Sequence, residues 1–342
     1  SIPLCLLWPG AEGVGRGFGE QCLMLEAAEV EVVLPTAACP AWVHANGGGA
    51  AYLDFTQPEA AWRALVADLH RLPPAEALAA VASLGAAFDA GLAGSELLLE
   101  GAAAAARSPT WDVVKAPMQD LRDWKNFVVP ARLEEEAMAR LREIYRPALE
   151  GVAVDAAALR ESAGESGLAR LRDEVLWFLA LDADDPELHA LLAGLGRSYL
   201  GFGEGAEPAD GALHPELLHP DLVQLALVAA AEEGGAPFAA RLIERLKATE
   251  EPVLRGQLVY ALGFMVEPET RALLWALILG PELPERDAAQ LLRRLGHRVP
   301  NADALFDWIV ANYPALERRL SPGTLGWLPW RTPALCTHDA RD

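Results

Sequence analysis

EPVLRGQLVYALGFMVEPETRALLWALILGPELPE, residues 251–285, carries prolines at Pro252, Pro268 and Pro284, and the last two are followed at once by Glu269 and Glu285. Proline already holds a helical φ and lacks the N–H that a first turn leaves unused, and a carboxylate beside it suits the positive end of the helix dipole. Each pair therefore predicts a helix start. Between the starts, Leu254, Leu258, Ala261, Leu262 and Met265 recur at helical spacing, as do Ala288, Leu291, Leu292 and Leu295 beyond Pro284, so each helix has one apolar face to bury.

Outward from this stretch the punctuation repeats. Pro186, Pro220, Pro252 and Pro284 fall 34, 32 and 32 residues apart, with Pro237, Pro268 and Pro300 interleaved at 31 and 32. Two helices of about 12 residues and two short turns fill such a period, the unit of stacked helical hairpins. The fold expected is mainly α, an α-solenoid or superhelix of antiparallel helix pairs of HEAT-like type. Phe306, Ile309, Val310 and Tyr313 extend the pattern as core filler. Asp185 reads as a cap before Pro186, in preference to a calcium loop built on Asp182, Asp184 and Asp185, because the glycine and terminal glutamate of such a loop do not follow.

Before about residue 55 the period is two. Ser1-Ile2-Pro3-Leu4 reads as the middle of a strand, so the chain reads as a piece cut from a longer one; Cys22 and Met24, then Glu29-Val30-Glu31-Val32, alternate as in strands, with a turn at Glu26-Ala27-Ala28. Gly10, Gly13, Gly15, Gly17 and Gly19 predict a loop, since the Walker lysine and a following helix pattern are absent. Thr56-Gln57-Pro58-Glu59 has the form of a capping box and predicts the first helix. Leu335-Cys336-Thr337-His338-Asp339 reads as a loop entering a further helix.

Bulk properties narrow the function. At 342 residues the chain exceeds a single compact core, and a formal charge of −21 repels nucleic acid and anionic lipid while attracting cationic or amine-bearing ligands. The richest apolar run, Leu222 to Ala231, is interrupted by Gln224 and is too short to span a membrane, so a soluble chain is expected. Cys5, Cys22 and Cys39 stand 17 residues apart, which reads as coincidence. With Cys336 they form no C-x-x-C pair and are expected to be buried free thiols in a reducing, cytoplasmic setting.

The motifs of hydrolytic chemistry are missing. There is no H-E-x-x-H, and His214 and His219 stand five residues apart between prolines, which predicts a loop and no metal site. Gly164-Glu165-Ser166-Gly167 has neither the spacing of a nucleophile elbow nor a strand before it. No catalytic, cofactor-binding or metal-ligating residue is expected in this chain. Arg255, Arg286 and Asp287, near helix starts, are either solvated or paired between helices, or they line a concave surface.

Pro40-Ala41-Trp42-Val43-His44-Ala45-Asn46, the glycines after it and Tyr52 resemble the junction in M1 (gluzincin) zinc aminopeptidases, of aminopeptidase N type, where a β-sandwich domain runs into a helical C-terminal domain. Ser83-Leu84-Gly85 to Ala93-Gly94-Ser95, the Leu171–Leu176 helix, Thr249 to Gly263, Glu285-Arg286-Asp287-Ala288 and Cys336 resemble later landmarks of that domain, in order. Leu53 stands where the family often has an arginine. The resemblance implies a partial β-sandwich domain at 1–55 and a helical C-terminal domain at 56–342. Its zinc helix and exopeptidase motif would lie on a preceding catalytic domain in cis. On that reading this chain encloses a chamber for peptide substrates, lined by residues such as Arg255, Arg286 and Asp287, and holds no cofactor itself, the zinc belonging to the parent. The alternatives are a free-standing HEAT-like or TPR-like scaffold that binds partner proteins, and a pseudo-enzyme whose parent has lost its zinc motif.

Overall fold

A computed structural model of the chain describes residues 1–10, 17–161, 166–203, 209–296 and 301–328. It is mainly helical, with a small two-stranded antiparallel sheet at its start. The residues group into two compact units, one of 1–152 with 163–183 and one of 153–162 with 184–342. The boundary expected at 55/56 falls inside the first unit.

In the first unit, β1 (Ile2–Pro9) pairs with β2 (Phe18–Leu25) in a register running from Ile2 opposite Leu25 to Pro9 opposite Phe18. This register puts Cys5 directly opposite Cys22, and the two are joined as a disulfide. The expectation of free thiols is thus corrected for this pair: their interval is the length of a hairpin, which sets the sulfurs face to face. Cys39 is a free thiol but exposed, not buried. Cys336 lies outside the described residues, as do Gly13, Gly15, Gly164, Glu165, Pro300 and the predicted loop and helix entry at 335–339.

A second correction concerns Glu29–Val32, which form no strand, and Val33 beside them is 81% exposed. Alternation alone does not make a strand where no neighbour offers its backbone. The chain instead returns to the hairpin at a single bridge, where Leu7 and His44 exchange N–H···O bonds of 2.8 and 2.7 Å.

The helices of this unit are α1 (Glu59–Ala67), α2 (Pro74–Asp89), α3 (Ser95–Ala105), α4 (Trp111–Lys115), α5 (Met118–Asp123), α6 (Glu134–Tyr145) and α7 (Ser166–Trp177). The capping box predicted for α1 does not form. Pro58 occupies the cap, the Gln57 side chain accepts the Val43 N–H at 3.5 Å, and the Glu59 carboxylate turns forward to Arg63 at 2.9 Å. An i,i+4 ion pair thus wins over the return bond to the cap. Leu7, Trp42, Trp62, Leu65, Leu84 and Leu97 close the core, where Phe55 stacks on Trp62 with centroids 5.2 Å apart.

α7 ends in a π-helical turn, Phe178–Asp182. A widened turn leaves carbonyls without their helical donors, and here long cations supply them. Lys125 Nζ reaches the Asp182 carbonyl at 2.7 Å, Arg142 reaches that of Ala183 at 2.8 Å, and Arg122 pairs with the Asp182 carboxylate at 2.7 Å.

The second unit holds α8 (Pro186–Tyr199), α9 (Pro220–Ala248), α10 (Pro252–Leu262), α11 (Pro268–Leu279), α12 (Glu285–Gly296), α13 (Ala302–Arg319) and α14 (Pro322–Leu325). Every Pro-acidic start predicted from the sequence begins a helix, and Asp185 caps α8 by accepting the Leu188 N–H. Pro237 marks a start as well, inside α9. At Gly235 (φ 56°, ψ −163°) the helix breaks and a second stretch begins, so α9 is two helices of the repeat joined end to end. That backbone region is open essentially to glycine alone. The first half of α9 is buried on every side, from Leu222 and Val223 through Leu225 to Ala231.

Such burial demands close neighbours, and α8 comes near enough that a Cβ on Gly196 would collide with the Ala226 carbonyl. Gly194, on the same helix, has open space around its missing Cβ. Gly196→Ala is expected to destabilise the chain by about 1 to 3 kcal/mol through overpacking. Gly194→Ala is expected to stabilise it by about 0.5 to 1 kcal/mol. Thermal unfolding of the two variants beside the parent sequence checks both signs.

Candidate functional site

The junction motif is built inward. Trp42, His44 and Asn46 alternate toward the core and are buried, while Tyr52 beyond them is fully exposed. The Trp42 indole N–H donates to Asp68 Oδ2 at 2.9 Å, at the end of α1. His44 Nε2 faces the Glu76 carbonyl at 2.9 Å, and its Nδ1 accepts the Asn46 N–H at 3.1 Å. A carbonyl partner on one nitrogen and an N–H on the other fix the neutral imidazole with its proton on Nε2. Burial agrees, since desolvation lowers the His44 pKa against the smaller opposing pull of the Glu76 carbonyl. The Asn46 side chain closes the following turn, donating to the Ala51 carbonyl at 2.9 Å and accepting the Ala51 N–H at 3.0 Å.

In the second unit, four charged side chains meet between α8 and α9. His189 places Nε2 3.2 Å from Glu232 Oε2 and Nδ1 3.1 Å from Glu233 Oε1, and Arg197 holds the other oxygen of Glu233 at 2.7 Å. Carboxylates only accept, so both ring nitrogens must carry protons. The hydrogen bond to Glu232, with help from Glu233, raises the His189 pKa over the opposing effect of burial. Immediately along α9, the break at Gly235 opens a cavity of about 110 Å³ lined by Ala231, Glu232, Gly235, Phe264, Met265, Val266, Glu267 and Thr270.

Arg255 and Asp287 are brought together. The Arg255 Nε donates to Asp287 Oδ2 at 2.5 Å, and its Nη1 donates to the Leu246 and Thr249 carbonyls at 2.9 and 3.1 Å. The arginine thus ties the end of α9 and the start of α10 to α12, which is the inter-helix pairing among the readings open from sequence. Arg286, adjacent on α12, is exposed. His214 and His219 are not brought together on any ligand. His214 lies between Asp210 (3.0 Å) and Glu216 (2.9 Å), its pKa raised first by the hydrogen bond to Asp210, and His219 accepts the Asp221 N–H at the start of α9. Among the described residues the one group of three possible metal ligands is Cys5, Glu20 and Cys22, and its two sulfurs are spent in the disulfide.

The His189 cluster and the cavity have no local signature. His189 stands 43 and 44 residues from its glutamates, and neither spacing matches a chemical motif. The one usable hint was Gly234-Gly235 before Pro237, an interruption inside an otherwise apolar helical run.

The sequence matches the family model of the ERAP1-like C-terminal domain over residues 42–340, most of its length, and the chain belongs to that family. This is the C-terminal domain type of M1 aminopeptidase-like proteins. The match begins at Trp42, the indole that anchors the junction. No curated protein matches the chain.

Two titrations are open to test. The Asp120 carboxyl is pushed up to about 6, by burial first and then by the like charges of Asp89 and Asp123. A carboxyl raised in the folded state binds more protons there than in the unfolded chain, so its contribution falls as pH rises from about 4 to 6. Asp120→Asn is expected to gain about 1 kcal/mol at pH 7, after discounting for partial solvent screening, and to gain nothing at pH 4. For His189 the slope has the same sign from a different cause: its raised pKa gives stability that is full below the ordinary value of 6.5 and is lost as pH rises through the folded value. His189→Asn should therefore cost most near pH 5.5 and progressively less above pH 7. Urea unfolding of the variants across pH 4 to 9 reads both.

Proposed function

We propose that this chain is the non-catalytic wall of an M1 zinc aminopeptidase, enclosing the substrate chamber and controlling which peptides reach the metal for removal of their N-terminal residue. The observation that carries the reading is the family match over 42–340, joined to a sequence with no zinc-helix motif. The zinc, the general base and the exopeptidase motif belong on a catalytic domain in cis.

The physical case rests on what an exopeptidase needs from a domain that donates no reacting group. Folded proteins must be excluded and a peptide's free amine must be held near the metal. Enclosure also removes water from around the reacting carbonyl. Helices packed pair upon pair, bound by Pro starts and by ties such as Arg255 to Asp287, supply a stiff wall for this purpose. A net charge of −21 favours the ammonium end of a peptide over its carboxylate.

The parent polypeptide, with its catalytic segment, is expected to hydrolyse aminoacyl-anilides and to prefer short peptides over folded proteins. The isolated chain is expected to remain folded, to bind no stoichiometric zinc and to hydrolyse neither. Kinetics and metal analysis of the two proteins provide the check. A parent whose selectivity and rate are unchanged by deletion of this chain would overturn the reading in favour of a free-standing scaffold, and a parent without zinc would identify a pseudo-enzyme.

A further inference from the structure

The junction segment leaves one backbone edge open. His44 exchanges both of its backbone hydrogen bonds with Leu7, so the peptide groups of its neighbours Val43 and Ala45 point to the opposite side. There the Val43 N–H reaches the Gln57 Oε1 at 3.5 Å, the outer limit of a hydrogen bond. The Val43 carbonyl and both Ala45 backbone groups have no partner among the described residues. A pocket of about 330 Å³ lies along this edge, lined among others by Val43, Ala45, Phe55, Gln57, Pro58 and Ala61. Gln57 occupies the place of a missing strand. Its carboxamide offers a carbonyl to Val43 as a neighbouring peptide group would, yet its Nε2 is covered and finds no acceptor. A buried N–H without a partner costs about 1 to 3 kcal/mol, and the bond it accompanies is long, so the carboxamide yields readily to a real main chain.

We propose that this edge is a β-augmentation site for an extended, basic-flanked segment of another polypeptide. Run antiparallel, a guest residue opposite Val43 accepts the Val43 N–H and donates its own N–H to the Val43 carbonyl, displacing Gln57. The guest residue two positions away pairs with Ala45 in the same way. Phe55, Pro58 and Ala61 give the pocket an apolar wall that suits small aliphatic side chains. The exposed carboxylate of Asp54, next to Phe55, and the net charge of −21 favour basic residues on either side of the paired stretch. A helical guest has its backbone groups already spent and cannot serve this edge. The inference does not rest on the peptidase reading, because the guest is held along its backbone, needs no free terminus and is not cleaved.

The test titrates the whole chain with the blocked peptide acetyl-KVAVAK-amide, following the backbone amides of Val43 and Ala45 and the side-chain amide of Gln57 by NMR. Saturable shifts of all three are expected. N-methylation of both valines and N-methylation of both alanines block opposite edges of the guest, so one version should bind about tenfold more weakly than the other. A glutamate-flanked version, acetyl-EVAVAE-amide, is expected to bind more weakly than the lysine-flanked one. Gln57→Ala, which removes the competing carboxamide, should tighten binding about threefold. No saturation, equal binding of the two methylated versions, equal binding of the two flanking charges, or weaker binding by Gln57→Ala would each overturn the proposal. Shifts of Val43 and Ala45 on concentrating the chain without peptide would overturn it too, by assigning the edge to a second copy.

Discussion

The first half of α9 is apolar on every face, and the second unit is organised around the need to cover it. A helix with one apolar stripe can lie on a surface, whereas one buried from Leu222 through Ala231 must have neighbours all round. α8 supplies one wall by bringing Gly196 against the Ala226 carbonyl, and α10 and α11 pack on the same helix. Dispersion and area burial reward this arrangement only at close range, so the small residues at the contact matter as much as the large ones. The break at Gly235 follows from the same constraint. A straight continuation would carry the apolar run past its neighbours, and the turn at Gly235 and Pro237 starts a new segment whose own buried face is Phe238, Ala239, Leu242 and Leu246.

Helix starts were legible because their chemistry is local. Proline at the first position acts through its own φ and its missing N–H, independent of anything distant, and Pro186, Pro220, Pro252 and Pro268 each begin a helix at that residue. The predictions that failed depended on partners remote in sequence. Thr56-Gln57-Pro58-Glu59 has the composition of a capping box, but Val43 claims Gln57 and Arg63 claims Glu59. Glu29–Val32 alternate correctly and have no strand to pair with. Spacing alone does not show a hairpin, so the sequence by itself gives no reason to join Cys5 to Cys22. Once Ile2–Pro9 and Phe18–Leu25 are paired, the opposition of Cys5 and Cys22 follows from register.

The same division separates the legible from the hidden parts of the site. The junction is legible in the sequence only through the resemblance of Pro40 to Asn46 and Tyr52 to a family segment. The roles of Trp42, His44 and Asn46 could not be assigned, because each is completed by a residue from further along: Asp68, the Glu76 carbonyl and the turn at Ala51. Arg255, Arg286 and Asp287 are legible in the sequence only as charged residues near helix starts, open to solvation, to pairing between helices or to lining a concave surface. A one-period separation is what places residues 255 and 287 at corresponding points of successive helix pairs, and the ion pair between them is the repeat made visible in charge.

Neutral and charged histidines mark how the units are built. His44 is buried among backbone groups and held neutral, so it acts as a fixed hydrogen-bond relay within the junction. His189 is held charged between two glutamates, because α9 presents Glu232 and Glu233 in sequence where the apolar run gives way to the break. A chain this acidic gains from each internal cation it can keep, and Arg197 and His189 together offset the two carboxylates on the α8 side. On the other side of the break Glu267 has no such counterpart from α8, and the helix geometry that buries Thr270 beneath it leaves a negative, partly apolar recess. Among the described residues, the carboxylates of Glu232 and Glu267 and the buried Thr270 hydroxyl thus gather beside the break in α9, next to helices whose apolar faces are consumed by packing.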